Sequence, residues 1–330
     1  MLLALFLAKV VEMTTTIERT DRQDMRTGAM DAAMVELSFQ LYGRNIDVMQ
    51  HTTHGRKIME SGRILDTSKP VLVSRNWKPQ NTAVQVGNVT IGSDKLVVIA
   101  GPCSVESEQQ MWDTAVAVKK SGAAMLRGGA FKPRTSPYSF QGFGEEGLRI
   151  LKDVGMRLDM PVVSEILSPD QMEMFKRIGI DMIQIGARNA QNYDLISEVA
   201  RSGTPMLLKR GPGSTLDEWM GAAEYALLRG NGNVVLCERG IRTFSNDMRY
   251  TLDIPAMFSM QSMTHLPIGA DPSHAAGKVE NVVPLTLAAA GVGVSFLLIE
   301  VHCNPKRALS DAEQQLNPAQ FADLMERLRK

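Results

Sequence analysis

Lys95-Leu-Val-Val-Ile-Ala100, followed at once by Gly101-Pro102-Cys103, decides the fold. The run is short, apolar and rich in β-branched residues, which reads as a buried strand. A doubly wound nucleotide-binding sheet would carry Gly-x-Gly-x-x-Gly directly behind its first strand, and Gly101-Pro102-Cys103 stands there instead. Seven more runs of similar texture follow: Ala123–Leu126, Pro161–Ser164, Met182–Ile185, Pro205–Leu208, Val234–Leu236, Pro267–Ala270 and Phe296–Ile299. Between them lie segments patterned for helices, among them Gln109–Lys120, Asp170–Ile178, Asp194–Arg201, Thr215–Leu228 and Val279–Ala290. Eight strands alternating with helices predict an α/β chain closed into a (β/α)8 TIM barrel. Asn317–Arg329 carries Phe321, Leu324, Met325 and Leu328 at helical spacing and is expected to pack on the outside.

Upstream of the barrel, Val71–Ser74 and Ala83–Ile91 are β-rich runs split by Trp77-Lys-Pro-Gln-Asn81. They read as a β-hairpin within 67–94, suited to plug one end of the barrel. The catalytic domain is therefore expected to span 67–330. Residues 1–66 are a poorly defined N-terminal extension, regulatory or partly disordered, with one amphipathic stretch around Met34–Met49.

Acidic and basic residues balance at 36 each, so no global field draws nucleic acid or a membrane surface, and any attraction for anions is local. Cys103, Cys237 and Cys303 are too few and too scattered for a disulfide framework or a zinc ribbon, which points to free thiols in the cytoplasm. The opening Met1-Leu-Leu-Ala-Leu-Phe-Leu-Ala8 is apolar but lacks a basic start and a small-residue cleavage site, and is too short to span a bilayer. A non-secretory chain is expected. Met13, Met25, Met30 and Met34 leave open a native start downstream of Met1.

Barrel enzymes place their chemistry behind the strands, so the residues at the C-terminal end of each run are the informative ones. The eight ends carry, in order, Cys103; Arg127 and Lys132; Glu165; Arg188; Lys209 and Arg210; Cys237, Glu238 and Arg239; Asp271 and His274; and Glu300 and His302, with Asp311 beyond. Crowding unlike charges at one mouth costs desolvation and repulsion that ligands would offset. Arg127, Lys132, Arg134, Arg188, Lys209 and Arg239 make six cations, enough for two phosphates and a carboxylate. The plainer alternatives are structural ion pairs and a solvated basic loop. Three of the six fall in Arg127-Gly-Gly-Ala-Phe-Lys-Pro-Arg-Thr-Ser-Pro-Tyr138, where glycine and proline exclude regular structure and Thr135 and Ser136 add hydroxyl donors. Cys103, His274, Glu300 and Asp311 come from the first, seventh and eighth strand ends, which closure makes neighbours. Their mixed S, N and O donors suit Mn²⁺, Fe²⁺, Zn²⁺ or Co²⁺, though a lone histidine or buried cysteine is more often structural. Glu300 and His302 are two apart along a strand, so His302 is expected on the face of Glu300, behind the donors or simply packed.

Seven motifs in order resemble the 3-deoxy-D-arabino-heptulosonate 7-phosphate (DAHP) synthases, in the subclass allied to the 3-deoxy-octulosonate 8-phosphate synthases. They are Ala100-Gly-Pro-Cys-Ser-Val-Glu106, Arg127 to Gly142, Gln184-Ile-Gly-Ala-Arg-Asn189, Leu207-Leu-Lys-Arg-Gly211, Cys237-Glu-Arg-Gly-Ile-Arg-Thr-Phe244, Asp271-Pro-Ser-His-Ala-Ala-Gly277 and Glu300-Val-His302. The resemblance covers about Lys69 to Leu316. It implies a transferase of the shikimate pathway that condenses phosphoenolpyruvate with erythrose 4-phosphate, with a divalent metal on Cys103, His274, Glu300 and Asp311. It also implies phosphoenolpyruvate on Arg127, Lys132, Arg188, Lys209 and Arg239, the erythrose phosphate end on Arg134, Thr135 and Ser136, and a homotetramer. The chemistry makes Lys132 and Glu165 the available acid–base pair, beside the metal ligands Cys103 and His274. Lys-Pro-Arg-Thr-Ser at 132–136 separates this family from the octulosonate synthases, which take arabinose 5-phosphate. Cys303 stands where the family's Val-His-Pro-x-Pro has proline, and is an inert thiol, an extra soft ligand or an oxidation site. Residues 1–66 match neither the ferredoxin-like regulatory domain nor the chorismate mutase domain sometimes attached to the family. Competing readings are an octulosonate synthase, a Schiff-base aldolase using Lys209, and a phosphosugar-binding barrel without turnover.

Overall fold

In the computed structural model the described residues are 46–52, 55–60, 63–64, 69–134 and 136–329. The chain divides into two compact units, the first of residues 1–67 with 228–230 and the second of 68–227 with 231–330. In the first, β1 (Ile46–Thr52), β2 (Gly55–Glu60) and β3 (Arg63–Ile64) form an antiparallel sheet in that order. Ile46–Met49, the end of the expected amphipathic stretch, belongs to β1, and the rest of that stretch lies outside the described residues.

The second unit opens with a hairpin, β4 (Val84–Val86) and β5 (Val89–Ile91). It turns at Gly87, whose φ of 55° is a conformation that glycine adopts without strain. The hairpin is shorter than expected. Val71–Ser74 is not a strand, because the backbone N–H groups of Val71, Leu72 and Val73 donate to the Glu224 carboxylate at 3.0, 2.8 and 2.9 Å and are not free for a ladder.

Behind the hairpin stand β6 (Val97–Gly101), β7 (Met125–Arg127), β8 (Val162–Ile166), β9 (Met182–Ile185), β10 (Met206–Lys209), β11 (Val234–Glu238), β12 (Ile268–Ala270) and β13 (Phe296–Glu300). These eight parallel strands close into a barrel, with β13 pairing β6 from Phe296↔Val97 to Glu300↔Gly101. The closure brings the first, seventh and eighth strand ends side by side. Buried Val84, Val86 and Ile91 share one apolar cluster with Val97, Met125, Met182 and Phe296, the first or near-first residues of their strands. The hairpin thus plugs the bottom, leaving the opposite end for chemistry. Several strands run further than their apolar stretches, so Arg127, Glu165, Lys209, Glu238 and Glu300 sit on strands and not on the loops behind them. A polar side chain at the last position of a barrel strand already faces the mouth, so hydrophobicity ends before hydrogen bonding does.

The outer helices are α1 (Glu108–Ser121), α2 (Gly144–Arg157), α3 (Met172–Ile178), α4 (Tyr193–Arg201), α5 (Leu216–Leu228), α6 (Ile254–Met263), α7 (Pro272–Ala276), α8 (Val279–Gly291) and α9 (Pro318–Leu328). The helix expected over Asp170–Ile178 begins as a 3₁₀ turn, Pro169–Gln171, before α3. Helix α9 starts in a capping box of Asn317 and Gln320 and buries Phe321, Leu324 and Met325. No helix among the described residues is long and apolar enough to cross a membrane.

His265 ties the leading segment to the barrel. Its Nε2 donates to Leu72 O at 2.8 Å, so its Nδ1 accepts from Thr82 Oγ1 at 2.7 Å. Burial, with Lys78 and Arg75 nearby, pushes the imidazole from 6.5 down to about 4. The folded state therefore prefers the neutral ring. Its stabilisation is complete above pH 6.5 and is lost as pH falls towards about 4, a change on the order of 3 kcal/mol. Urea midpoints across that interval are expected to fall in the wild type, and the part due to this ring disappears in His265→Gln.

Candidate active site

Gly101 ends β6 with φ 152°, and a Cβ there would lie 2.2 Å from Arg127 O. Only glycine allows β6 and β7 to run this close, and the chain then delivers Cys103 into the mouth, fully buried. Its N–H donates to Gln315 Oε1 at 3.0 Å. Its Sγ accepts from Lys132 Nζ at 2.9 Å and lies 3.2 Å from Asp311 Oδ2.

His274 is set by Asp271, which caps the one-turn helix α7 by accepting from His274 N–H at 3.0 Å and places its other oxygen 2.7 Å from His274 Nδ1. A carboxylate behind one ring nitrogen leaves the other facing the site. His274 Nε2 lies 3.5 Å from Glu300 Oε1 and 3.8 Å from Asp311 Oδ2. Glu300 is the last residue of β13. Asp311 follows in a loop at φ 48°, a left-handed conformation uncommon outside glycine and often associated with functional sites.

The four residues fit a divalent cation. Two donors on one ion, with bonds of about 2.0–2.3 Å, lie within about 4.5 Å of one another, and donor atoms of Cys103, His274, Glu300 and Asp311 all lie within 4.8 Å. Glu300 Oε1 is buried and makes no hydrogen bond; its charge is met by Arg127 Nη2 at 3.1 Å, and it keeps a lone pair free for a cation. Burial works to raise both carboxyl groups, but His274 and Arg127 hold Glu300 below the usual range, and His274, Lys132 and Arg249 hold Asp311 at about 2. Burial keeps His274 below its ordinary value although Asp271 and Glu300 oppose this. Burial, then Glu300, pushes the Cys103 thiol up to about 12, so a bound ion must displace its proton.

Beside the cluster lies a cavity of about 130 Å³ lined by Glu165, Arg188, Lys209, Arg239, Tyr250 and His274, among others. Lys209 pairs with buried Asp271. Arg239 stacks on Tyr250 at 4.3 Å. Gln184 Nε2 donates to Glu165 Oε2 at 3.1 Å, and Gly186 leaves the room that carboxylate occupies, since a Cβ there would fall 1.9 Å from Glu165 Oε1.

The sequence-derived residues therefore divide. Cys103, His274, Glu300 and Asp311 converge, with Lys132 on the thiol and Arg127 Nη2 3.1 Å from Glu300 Oε1. Glu165, Arg188, Lys209 and Arg239 line the cavity. Arg134 and Ser136 join neither group. Lys132 N–H donates to Gln141 O and Gly144 N–H to Ala130 O, which closes the loop's neck and leaves Arg134 and Ser136 outside. Arg134 Nε donates to Phe140 O at 3.0 Å, and Ser136 is exposed. Thr135 lies outside the described residues.

His302 turns to Glu106, 3.3 Å away, and Cys303 donates its N–H to Thr114 Oγ1, so neither belongs to the donor cluster. Arg210 is held by Glu238 and Asp253. Asp271, named from the sequence as a polar strand end without a role, proves to be a site residue, and Gln314, Gln315, Arg249 and Tyr250 join the site without having been expected there. Asp271 had a signal, the spacing Asp-Pro-Ser-His that caps a helix turn. The glutamines had none.

The description "DAHP synthetase I family" belongs to a family model that matches residues 73–330. The chain is 46% identical over 259 residues to the phospho-2-dehydro-3-deoxyheptonate aldolase of Thermotoga maritima, covering 78% of this chain and 76% of that protein. It is 33% identical to a 2-dehydro-3-deoxyphosphooctonate aldolase of Geotalea uraniireducens, over 74% of this chain and 96% of that one. The crystal structure of the Thermotoga maritima DAHP synthase superposes with a TM-score of 0.77 at 37% identity, over 91% of this chain and 92% of that chain. A truncated form from the same organism gives 0.73 at 41% identity, over 78% and 94%. With the match running the length of the barrel and taking in every donor of the cluster, the chain belongs to the DAHP synthetase I family.

Proposed function

We infer that the donor cluster and the cation-lined cavity are two halves of one active site. The chain is a DAHP synthase: it condenses phosphoenolpyruvate with D-erythrose 4-phosphate, taking up water and releasing phosphate, as the first step of the shikimate pathway. The observation that carries the residue assignment is His274, which gives Nε2 to the cluster and also lines the cavity.

A divalent cation on Cys103, His274, Glu300 and Asp311 would supply Lewis-acid polarisation of the sugar's aldehyde. Arg188, Lys209 and Arg239 offer N–H donors for the carboxylate and phosphate of phosphoenolpyruvate, and Arg127 has a buried Nη1 without a partner. The enol carbon's electron pair forms the new bond to the aldehyde carbon. The aldehyde oxygen takes up a proton, for which Lys132 is the donor. Burial would lower the Lys132 pKa, but Cys103, Glu165 and Glu300 together raise it, so the side chain is held as the ammonium and carries a proton. Water then adds to the former enol-ether carbon, with Glu165 accepting its proton. The carbon–phosphate oxygen bond breaks, phosphate leaves with the pair and takes up the proton of the new hydroxyl, and the ketone forms. Arg134, Thr135 and Ser136 remain assigned to the erythrose phosphate end on the family likeness, across a loop that lies outside the cavity here.

Lys209 is a poor Schiff-base candidate, because its Nζ is already engaged by the buried Asp271 carboxylate. A cytoplasmic location fits three unpaired cysteines. A homotetramer is carried over from the family likeness alone.

The test is phosphate release from phosphoenolpyruvate with a four-carbon or a five-carbon aldose phosphate. Turnover is expected with erythrose 4-phosphate, to be lost in chelator and restored by a divalent ion. Preference for arabinose 5-phosphate, or chelator-resistant turnover with borohydride trapping of Lys209, would overturn the assignment.

A further inference from the structure

Each carboxylate of the cluster turns one oxygen to the other donors and has the second held from behind. Asp311 Oδ2 faces Cys103 and His274, while its Oδ1 lies 3.5 Å from Arg249 Nη1. Glu300 Oε1 faces His274, while its Oε2 accepts from Gln314 Nε2. Gln314 Oε1 accepts in turn from the same Arg249 Nη1 at 3.1 Å. A continuous strap, Glu300–Gln314–Arg249–Asp311, runs behind the donors. Its outer end is fixed to the helix of His274, because Arg249 N–H and Tyr250 N–H donate to Ala276 O and Ala275 O at 3.3 and 2.9 Å. Gly277 makes this approach possible, since a Cβ there would lie 2.5 Å from Arg249 Cβ.

We propose that Arg249 and Gln314 are positioning residues that hold Glu300 and Asp311 as one-oxygen donors and thereby set the affinity of the cluster for a divalent cation. A carboxylate free to rotate chelates with both oxygens or turns away, and ordering it at the moment of binding costs affinity. With the rear oxygens already engaged, that ordering is complete before the ion arrives. The inference rests on the reading of the cluster as a metal site. The Arg249 side chain is 36% exposed, so its replacement does not open the core.

The experiment titrates the full chain with Co²⁺ against a chromophoric chelator, for the wild type and for Arg249→Met, Arg249→Lys and Gln314→Leu. Thermal midpoints of the metal-free proteins are measured alongside. Arg249→Met and Gln314→Leu are expected to weaken Co²⁺ binding about 10–100-fold. Arg249→Lys, which returns a cationic N–H donor, recovers most of the loss, and the metal-free midpoint of Arg249→Met stays near that of the wild type. Wild-type affinity in both Arg249→Met and Gln314→Leu would overturn the inference, as would Arg249→Lys failing like Arg249→Met. A wild type that binds no Co²⁺ would instead sink the metal reading, and this inference with it.

Discussion

Cys103→Ser is expected to leave a folded barrel that no longer turns over. The side chain is fully buried, and the substitution exchanges one small group for another, so the fold has little reason to respond. The site does. A serine hydroxyl does not ionise near neutral pH, whereas a thiol loses its proton once a cation replaces it, and Lys132 Nζ at 2.9 Å favours the resulting anion. Residues that merely orient ligands contribute about 10–100-fold in metal affinity, and loss of the ligand itself is expected to cost at least about a hundredfold. Activity in metal-depleted buffer falls with it. The check is phosphate release together with circular dichroism. Near-normal turnover would remove Cys103 from the chemistry.

Lys132→Met carries the second large effect. This lysine donates to Cys103 O at 3.0 Å and to Cys103 Sγ at 2.9 Å, and is almost wholly buried. Like Arg127 it is set directly against the cluster, whereas Arg188, Lys209 and Arg239 line the neighbouring cavity. If it delivers the proton to the new alkoxide, its loss lowers kcat by about 10²–10⁴ at saturating metal. The KM for phosphoenolpyruvate is expected to change much less, because the cavity cations remain. A raised KM with unchanged kcat would make Lys132 a binding residue only.

Most of this architecture is legible in the sequence. The alternation from Lys95 to Ile299 dictates the barrel because parallel strands buried on both faces read as short apolar runs. Once the barrel closes, Cys103, His274 and Glu300 must be neighbours, and the pairing Glu300↔Gly101 brings this about. Legibility ends where polarity sets in at the strand tips: Arg127, Glu165 and Lys209 look like loop residues although their backbones still belong to the sheet. The N-terminal side of the hairpin misleads for a related reason. Val71–Val73 have strand composition, but their N–H groups are taken by Glu224, some 150 residues away, which no local pattern announces. The support behind the ligands is hidden in the same way. Gln314 and Arg249 act through contacts across the loops that only the folded chain brings together. Loops tie themselves off by hydrogen bonds that composition does not foretell, and so Arg134 and Ser136 fall outside the cavity.

X-ray absorption on the Zn²⁺-loaded chain reads the donor set of the cluster itself. One sulfur at about 2.3 Å and nitrogen and oxygen donors at about 2.0–2.2 Å are expected, with the sulfur shell gone in Cys103→Ser. A wild-type spectrum fitted by nitrogen and oxygen alone, or a sulfur shell that survives the substitution, would contradict this donor set.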